Sequence, residues 1–344
     1  MILDPADPAI VQRAAAALAA GELVAFPTET VYGLGARADD DAAVAKIFRA
    51  KGRPADHPLI VHVADAEGAR AFAAQVPAVA VRLVAAFWPG PLTIIVPRAA
   101  GIGTAAAGGQ PTIGLRCPSH PVARALLRAA RQSGVAGVAA PSANRFGRIS
   151  PTLAQHVADE FGGVLMVLDG GACPVGIESS IVDCTGGRPV LLRPGVLTRA
   201  QIEAAAGEPL ADPHGDVPRA PGTLEAHYAP RATLRLMPAA QLRTALQVLG
   251  TAAAPKLAVY SSPLPAGTGA GVLHRAMPAR AADAARELFS VLRAFDAEGA
   301  QLIWVEEPPP RRSGKACAIG CAAPRRREFP ALPSIWRETD DVVA

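Results

Sequence analysis

Short apolar runs alternate with alanine-rich segments of helical periodicity along most of the chain. This alternation is typical of an α/β fold, because helices must cover the apolar faces of a sheet. Several predicted strands follow one another after short links, so we expect a mixed sheet rather than a purely parallel one. In the first part of the chain, strands are predicted over residues 23–26, 59–63, 92–96, 113–116, 135–140, 164–168, 177–183 and 190–192.

Capping residues mark the ends of the predicted helices. Asp7 suits the start of the first helix, and Gly21 suits its end. Ser119, with Pro121 in the first turn, is the expected cap of a helix that runs to Gln132. The other predicted helices cover residues 40–50, 66–75, 78–87 and 150–162, and a short one begins at residue 198.

A change in composition divides the chain into two α/β domains. Residues 207–232 are rich in Pro, Gly, Asp and His without periodicity, which is typical of a linker. We therefore expect a larger domain over residues 1–206, a smaller one over residues 233–327, and a tail over residues 328–344. In the smaller domain, strands are predicted over residues 234–237, 257–260 and 302–305, and helices over residues 240–248 and 281–295.

The net charge of +4 is concentrated in one segment. Residues 311–327 hold six Lys or Arg and no acidic residue, whereas the rest of the chain holds 28 basic and 30 acidic residues. The body of the protein is therefore not basic, which disfavours a primary role in binding nucleic acid. The five cysteines have no zinc-knuckle spacing, so free thiols are expected.

The sequence predicts a soluble cytoplasmic protein with no membrane partner. Residues 1–9 carry Asp4 and Asp7 and lack the cationic region of a signal peptide. No apolar run reaches the roughly 18 residues that a membrane span needs.

The polar run after the first predicted strand is expected to form a loop that carries a binding site. Residues 27–35 hold two threonines, a glutamate, a tyrosine and two glycines, and Lys51 and Arg53 follow one helix later. Gly52 and Pro54 fix the backbone between and after these cations, so both cations are expected to project from a rigid turn. Such a pair of cations suits a polyphosphate. From the residues alone, cations that merely complement the end of a helix explain the pattern equally well.

Other strand ends carry candidate ligands. Arg116 and Arg193 each end a predicted strand beside a proline, which suits bidentate capture of a carboxylate or phosphate. The segment Ser142–Asn144 also follows a strand, although such residues often form an Asx turn. His62 is more often a satisfied core histidine than a ligand, and Ser180 needs a partner if it is buried. The chain has no P-loop, and its Gly101-Ile102-Gly103 run lacks the acidic residue of a dinucleotide site.

The motifs taken together are far more specific than any one of them. In order along the chain they are Pro27-Thr28-Glu29-Thr30-Val31-Tyr32-Gly33-Leu34-Gly35, Lys51-Gly52-Arg53-Pro54, His57-Pro58-Leu59-Ile60-Val61-His62, Phe87-Trp88-Pro89-Gly90-Pro91, Pro141-Ser142-Ala143-Asn144, Ser150-Pro151-Thr152, Ile177-Glu178-Ser179-Ser180 and Leu192-Arg193-Pro194-Gly195. This pattern resembles the YrdC-type threonylcarbamoyl-AMP synthase family over roughly residues 8–206. His227-Tyr228-Ala229-Pro230 resembles the linker of its long, two-domain members.

The resemblance implies both a fold and a reaction. The implied fold is a twisted mixed sheet with flanking helices, a linker that folds over the active site, and a smaller Rossmann-like α/β C-terminal domain. The implied reaction converts L-threonine, bicarbonate or CO2 and ATP to L-threonylcarbamoyladenylate and pyrophosphate, for N6-threonylcarbamoyladenosine at tRNA position 37. A separate transferase complex is the implied downstream partner, and the resemblance leaves room for a weak contact with tRNA.

Site residues are carried over by the same resemblance. Lys51 and Arg53 are the implied catalytic residues, and Arg116 is the choice for the carboxylate of threonine. No carboxylate cage is evident, so Mg²⁺ is expected to be bound through the ATP phosphates. The implied ATP-binding residues are Lys51, Arg53, His57, Thr112, Ser142, Asn144, Ser150, Arg193 and Tyr228, and the implied threonine-binding residues are Thr30, His62, Arg116 and Ser180.

The chain departs from the family's pattern near its end. Long members finish with a glycine-rich stretch and a basic helix, whereas residues 313–327 combine two cysteines with clustered arginines. This predicts a reading-frame slip near residue 311, with residues 328–344 disordered. Two other functions stay open: an RNA-binding, translation-associated module, and an accessory domain of a carbamoyltransferase. The near-neutral body disfavours the first, and the lack of further domains and zinc-finger cysteines disfavours the second.

Overall fold

A computed structural model describes residues 1–213, 217–221, 229–249, 256–264 and 272–307. The ten described strands of the first part of the chain form one sheet. We call this sheet and its helices the first unit. Its strands are β1 (Ile2–Leu3), β2 (Val24–Pro27), β3 (Tyr32–Arg37), β4 (Ile60–His62), β5 (Leu92–Pro97), β6 (Thr112–Arg116), β7 (Val138–Ala139), β8 (Met166–Leu168), β9 (Ser180–Asp183) and β10 (Val190–Arg193). Their order across the sheet is β1-β8-β2-β3-β7-β4-β6-β5-β9-β10.

The sheet is mixed, as the short links predict. Strands β2 and β3 form an antiparallel hairpin, and β3 also pairs antiparallel with β7. In contrast, β4 pairs parallel with β6, so that His62 lies opposite Arg116. The parallel and antiparallel pairs together bring strand ends from distant parts of the sequence to one side of the sheet.

Helices cover both faces of this sheet. The neighbouring residues Ala25 and Phe26 of β2 point to opposite faces, and each belongs to a different apolar cluster. Phe26 packs in the cluster that holds Leu18 and Leu126, where the first and fifth helices lie. The helices of this unit are α1 (Pro8–Ala19), α2 (Asp41–Lys51), α3 (Ala66–Ala69), α4 (Ala78–Phe87), α5 (Pro121–Gln132), α6 (Ala154–Phe161) and α7 (Arg199–Ala206).

The second unit is a smaller sheet of four parallel strands. Its strands are β11 (Thr233–Met237), β12 (Leu257–Ser261), β13 (Leu273–Ala276) and β14 (Leu302–Glu306), in the order β11-β14-β12-β13. Helix α8 (Ala239–Leu249) packs in the cluster that includes Trp304. Helix α9 (Ala281–Ala297) packs in a cluster that also contains Val31, Ile149 and Ile177 of the first unit. The two units therefore share an apolar core.

Several predicted elements have the expected ends. Asp7 caps α1 and Asp40 caps α2 through their carboxylates, and Gly52 ends α2 in the left-handed conformation. Helix α4 covers the predicted residues, and Thr198 begins α7 with a full capping box. Among the described residues, no helix has the length and apolar character that crossing a membrane requires.

Other predicted elements were wrong in extent. The helix predicted over residues 66–75 ends at Ala69, because the chain then turns so that the amide of Ala74 donates to the carbonyl of Pro97 (2.9 Å). Helix α5 is capped by His120, whose Nδ1 accepts from the amide of Val122 (3.2 Å), rather than by Ser119. The strand expected over residues 135–140 is only β7, and the helix expected from residue 150 begins at 154.

The largest difference lies in the polar run after the first strand. Residues 32–37 form β3 and not a loop. A Cβ on Gly35 would lie 2.8 Å from both Phe26 and Val138, so this glycine lets two side chains pack over the strand. Strands β1 and β13 were not predicted at all. The basic segment, the predicted reading-frame slip and the predicted tail lie outside the described residues.

Candidate active site

A cleft opens where the β2–β3 hairpin meets the ends of β4 and β6. The structure brings six predicted site residues together on its wall: Thr30, Arg53, His62, Arg116, Ser142 and Arg193. Thr28, Glu178 and Pro221 also line it, although none of them was a predicted site residue. Lys51, His57, Thr112, Asn144, Ser150 and Ser180 are not among the residues that line this cleft.

Thr28 shapes the turn that carries Thr30 into the cleft. Its Oγ1 donates to the carbonyl of Val31 (2.6 Å) and accepts from the amides of Thr30 and Val31 (both 3.2 Å). The hydroxyls of Thr28 and Thr30 lie 2.9 Å apart. These bonds hold the β2–β3 turn in one conformation, so the hydroxyl of Thr30 has a fixed position.

Arg116 lies at the end of β6 and is held from three sides. Its guanidinium donates to Thr30 Oγ1 (2.9 Å) and to the carbonyl of Gly90 (3.3 Å), and forms an ion pair with Glu29 (2.7 Å). Burial alone would raise the pKa of Glu29, but the charge and hydrogen bond of Arg116 outweigh it and lower that pKa. Arg116 was predicted from the sequence and Glu29 was not, although Glu29 is the single acidic residue in an otherwise uncharged run.

His62 and Ser180 carry polar atoms that the described part of the protein leaves without hydrogen-bond partners. Both side chains are buried, and neither His62 Nδ1 nor Ser180 Oγ has a hydrogen-bond partner among the described residues. Burial, followed by the nearby charge of Arg116, lowers the pKa of His62 to about 3, so its ring is neutral at pH 7. Buried polar groups without partners are rare, and such groups are satisfied by an ordered water, an ion or a bound ligand.

Lys51 points into the protein rather than into the cleft. It is the last residue of α2, and its ammonium donates to the carbonyls of Ser142 (2.5 Å) and Asn144. Burial, and then the charge of Arg53, lower the pKa of Lys51 to about 7. The expectation that both cations project from their turn is therefore wrong for Lys51, which clamps the neighbouring loop.

Arg53 remains on the cleft wall. Its guanidinium donates to the carbonyl of Pro58 (2.9 Å) and lies 5.8 Å from the centroid of the Phe146 ring. The His57 ring packs edge-on against the same phenyl ring, with centroids 5.5 Å apart, and burial lowers the pKa of His57. Phe146 thus positions two predicted ATP-binding residues, although the sequence analysis did not name it.

The loop from Ser142 to Ser150 is tightly organised by its own side chains. Asn144 donates from Nδ2 to the carbonyls of Arg145 (2.8 Å) and Arg148 (2.9 Å). The Oδ1 of Asn144 is buried and finds no partner in the described part of the chain. Ser150 donates to the carboxylate of Glu178 (2.7 Å), which lines the cleft. The loop thus presents one unsatisfied acceptor in a fixed backbone.

Arg193 joins the cleft to the linker. Its guanidinium donates to the carbonyl and hydroxyl of Ser179 (2.9 and 3.0 Å) and to the carbonyl of Pro221 (2.9 Å). Thr112 lies in a smaller adjoining cleft that also includes Pro221. Tyr228 falls outside the described residues, and the next residue, Ala229, donates its amide to the carbonyl of Gly147 (2.9 Å).

The charges of the cleft suit an anionic ligand. Three arginines line it, whereas Glu178 is the one acidic residue among the lining residues. Within the described residues, no three His, Cys, Asp or Glu side chains are grouped so that they could hold a metal ion. A polyphosphate fits such a site.

Comparison with known proteins identifies the family of this chain. Residues 16–195 match the Sua5/YciO/YrdC family, described as telomere recombination. The chain belongs to this family. Residues 197–319 match the C-terminal domain of threonylcarbamoyl-AMP synthase, so this member of the Sua5/YciO/YrdC family has the long, two-domain form. The resemblance seen in the sequence is confirmed.

Curated relatives and solved structures agree with this assignment. The threonylcarbamoyl-AMP synthase of Pyrococcus abyssi is 45% identical over 228 residues, which is 64% of this chain and 66% of that protein. The Bacillus subtilis protein of the same name is 46% identical over 237 residues, or 67% of each chain. The structure of Pyrococcus abyssi Sua5 complexed with L-threonine superposes with a TM-score of 0.84 at 35% identity, covering 93% of this chain and 96% of that one. The predicted α/β fold class is confirmed.

Proposed function

We propose that this chain is a threonylcarbamoyl-AMP synthase, which makes L-threonylcarbamoyladenylate and pyrophosphate from L-threonine, bicarbonate or CO2, and ATP. One observation carries the proposal. A cleft lined by Arg53, Arg116 and Arg193 lies beside the unsatisfied polar atoms of His62 and Ser180, in a member of the Sua5/YciO/YrdC family. The chain is an enzyme with a nucleotidyl-transferring activity, in agreement with its curated relatives, which are named threonylcarbamoyl-AMP synthase.

Threonine would occupy the end of the cleft beside Arg116. The guanidinium of Arg116 suits the carboxylate of the amino acid, and Thr30 lies within hydrogen-bond distance of that guanidinium. The neutral ring of His62 and the hydroxyl of Ser180 can bond the side-chain hydroxyl of threonine, because both have unused polar atoms. A substrate that lacked this hydroxyl would leave them unsatisfied, which costs affinity.

ATP would occupy the end of the cleft beside Arg53 and Arg193. These two guanidinium groups lie on the wall with Ser142. Asn144 does not line the cleft, but it is a proposed ATP-binding residue of the neighbouring loop, and its buried Oδ1 has no partner among the described residues. Lys51 would act by holding the Ser142–Asn144 loop, as its two carbonyl bonds indicate. Mg²⁺ would arrive as part of MgATP and supply charge neutralisation at the phosphates. The proposed supporting ATP-binding residues are His57, Thr112, Ser150 and Tyr228.

The chemistry requires alignment and charge neutralisation more than a protein nucleophile. The amine of threonine and bicarbonate form a carbamate with loss of water. A carbamate oxygen then bonds to the α-phosphorus of ATP, and the bond from that phosphorus to the bridging oxygen breaks to release pyrophosphate. Negative charge increases on the departing phosphates, so Arg53 and Arg193 on the wall suit the transition state.

The product points to a later step in tRNA modification. A carbamoyl adenylate is an activated acyl donor, so a separate transferase complex would move its threonylcarbamoyl group to N6 of adenosine 37. The proposed location is the cytoplasm, with at most a weak contact between this chain and tRNA. Salt-steep, tight RNA binding in a filter assay at two salt concentrations would favour the RNA-binding module instead.

The direct test measures pyrophosphate release from ATP by the purified protein. L-Threonine and bicarbonate are each omitted in turn, and L-serine replaces threonine in a third reaction. Release that requires both substrates, with serine as a poor replacement, supports the synthase. Release without either substrate, or none under any condition, would overturn it.

A further inference from the structure

Helix α9 of the second unit lies against the loop that carries Ser150. The hydroxyls of Thr152 and Ser290 lie 2.7 Å apart across this contact. Helix α9 also packs closely against Gly176, where an added Cβ would lie 2.1 Å from the main-chain oxygen of Arg286. On the first unit, the side chain of Ile149 belongs to the apolar cluster that α9 builds. The second unit therefore touches the residue that directly precedes Ser150.

Arg293 is the charged residue of this contact. Its Nη2 donates to the main-chain carbonyl of Ile149 and to the carboxylate of Glu160 (3.0 Å). Only 13% of the Arg293 side chain and 14% of the Glu160 side chain are exposed. Such burial makes each partner depend on the other, because an unpaired buried charge is unfavourable.

The hydrogen-bond network continues from Glu160 into the loop from Ser142 to Ser150. The other carboxylate oxygen of Glu160 accepts from the amide of Arg145 (3.3 Å), and the carbonyl of Glu160 accepts from Nε of Arg145 (3.3 Å). Arg145 in turn offers its carbonyl to Nδ2 of Asn144 (2.8 Å). Arg293 thus holds both ends of the segment from Asn144 to Ser150, one directly at Ile149 and the other through Glu160.

We propose that Arg293 is a positioning residue for ATP, supplied to the active site by the second unit. It does not line the cleft and acts through the carbonyl of Ile149 and the carboxylate of Glu160. Without Arg293, the carbonyl of Ile149 loses its charged hydrogen-bond donor, and the loop between Asn144 and Ser150 gains conformational freedom. The threonine side of the cleft has its own supports at Thr28 and Glu29, so it does not depend on this network. This inference rests on the proposed function.

Binding measurements on the full chain test the proposal without catalysis. In Arg293→Met, the dissociation constant for α,β-methylene-ATP should rise about tenfold, as expected for the loss of a positioning interaction, while that for L-threonine changes less than about twofold. Arg293→Lys should recover part of the loss, because it retains a donor and the charge. The matched control is Arg275→Met, which breaks an ion pair with Glu298 whose side chains are 50% and 39% exposed. The control should bind both ligands like the wild type.

A double-mutant cycle separates positioning from a general loss of structure. Glu160→Gln alone should weaken analogue binding in the same direction as Arg293→Met, and the double variant should lose less than the product of the two effects. Unchanged analogue affinity in Arg293→Met, or an equal loss for analogue and threonine, would overturn the inference. Wild-type pyrophosphate release tests the proposed function separately: if it fails while the variant still loses analogue affinity, the function is wrong and the positioning role stands.

Discussion

An oxygen of the Glu29 carboxylate lies 2.7 Å from Nη2 of Arg116, and each of these side chains is less than one-tenth exposed. Glu29 belongs to the same turn as Thr30, whose Oγ1 accepts a hydrogen bond from this guanidinium (2.9 Å). Glu29 therefore sets the orientation of the guanidinium before any substrate arrives. A preorganised guanidinium loses little freedom when a substrate carboxylate binds to it.

Replacing Glu29 should lower stability and change its dependence on pH. In Glu29→Gln the charge of Arg116 stays buried without its partner, so the free energy of unfolding at pH 7 should fall by about 3 kcal/mol. The pKa of Glu29 is lowered in the folded state. Its contribution is therefore fully present above its ordinary pKa of 4.5 and is lost as the pH falls through the folded value. Urea denaturation at pH 7 and below pH 4 measures both effects, and equal differences at the two pH values would contradict the pairing.

Removing Arg116 should affect one substrate more than the other. In Arg116→Ala, the dissociation constant for L-threonine should rise by about 10- to 100-fold, because a charge-assisted contact to the carboxylate is lost. The constant for α,β-methylene-ATP should change little. The control is Arg131→Ala, whose ion pair with Asp65 is exposed. Calorimetry measures both constants, and similar losses for the two ligands would refute the assignment of Arg116 to threonine.

Alanine replacements of the neighbouring residues Ser179 and Ser180 should have different effects. The first should lower stability, and the second should weaken threonine binding. Ser180 Oγ has no partner among the described residues, so Ser180→Ala should change the free energy of unfolding by less than about 0.5 kcal/mol while weakening threonine binding. Ser179 Oγ bonds Thr93 (2.9 Å) and accepts from Arg193 (3.0 Å), so Ser179→Ala should cost about 1–3 kcal/mol. Denaturation and threonine titration of both variants decide the matter. A large stability loss in Ser180→Ala with normal threonine affinity would show a purely structural hydroxyl.

Because of Lys51, the free energy of unfolding should rise as the pH is raised above 7. Its folded pKa is lowered to about 7, so above that pH the unfolded chain binds more protons than the folded one. The wild type should therefore gain about 3 kcal/mol relative to Lys51→Met between pH 7 and pH 9.5. Chemical denaturation at the two pH values measures this gain. A parallel pH dependence of the two proteins would mean that Lys51 has an ordinary pKa in the fold.

Lys51→Met should also weaken ATP binding without removing a group from the cleft. The variant loses both bonds to the Ser142–Asn144 loop. Analogue affinity should fall, and threonine affinity should stay near the wild-type value.

Local signals in the sequence were enough to predict much of the fold. Asp7 and Asp40 cap their helices as carboxylates at helix starts do, and Gly52 ends its helix where the pattern requires it. These features depend on neighbours within a few residues. For the same reason, Arg53, Arg116 and Arg193 could be predicted as residues of one site, since Arg116 and Arg193 end strands and Arg53 follows the end of α2.

Features set by distant contacts were not predictable. Gly33 and Gly35 suggested a loop, whereas Gly35 makes room for Phe26 and Val138 within a sheet. The inward direction of Lys51 depends on carbonyls more than 90 residues away. Similarly, nothing near Ile149 in the sequence indicated that Arg293 of the second unit would bond its carbonyl.

The most direct test of the account is to detect the product itself. The purified protein is incubated with MgATP, L-threonine and ¹³C-bicarbonate, and the nucleotides are separated and analysed by mass spectrometry. The account predicts a nucleotide that contains AMP, threonine and the labelled carbon, formed together with pyrophosphate and absent when threonine is omitted. Pyrophosphate release with AMP as the sole new nucleotide, or a product without the label, would contradict it.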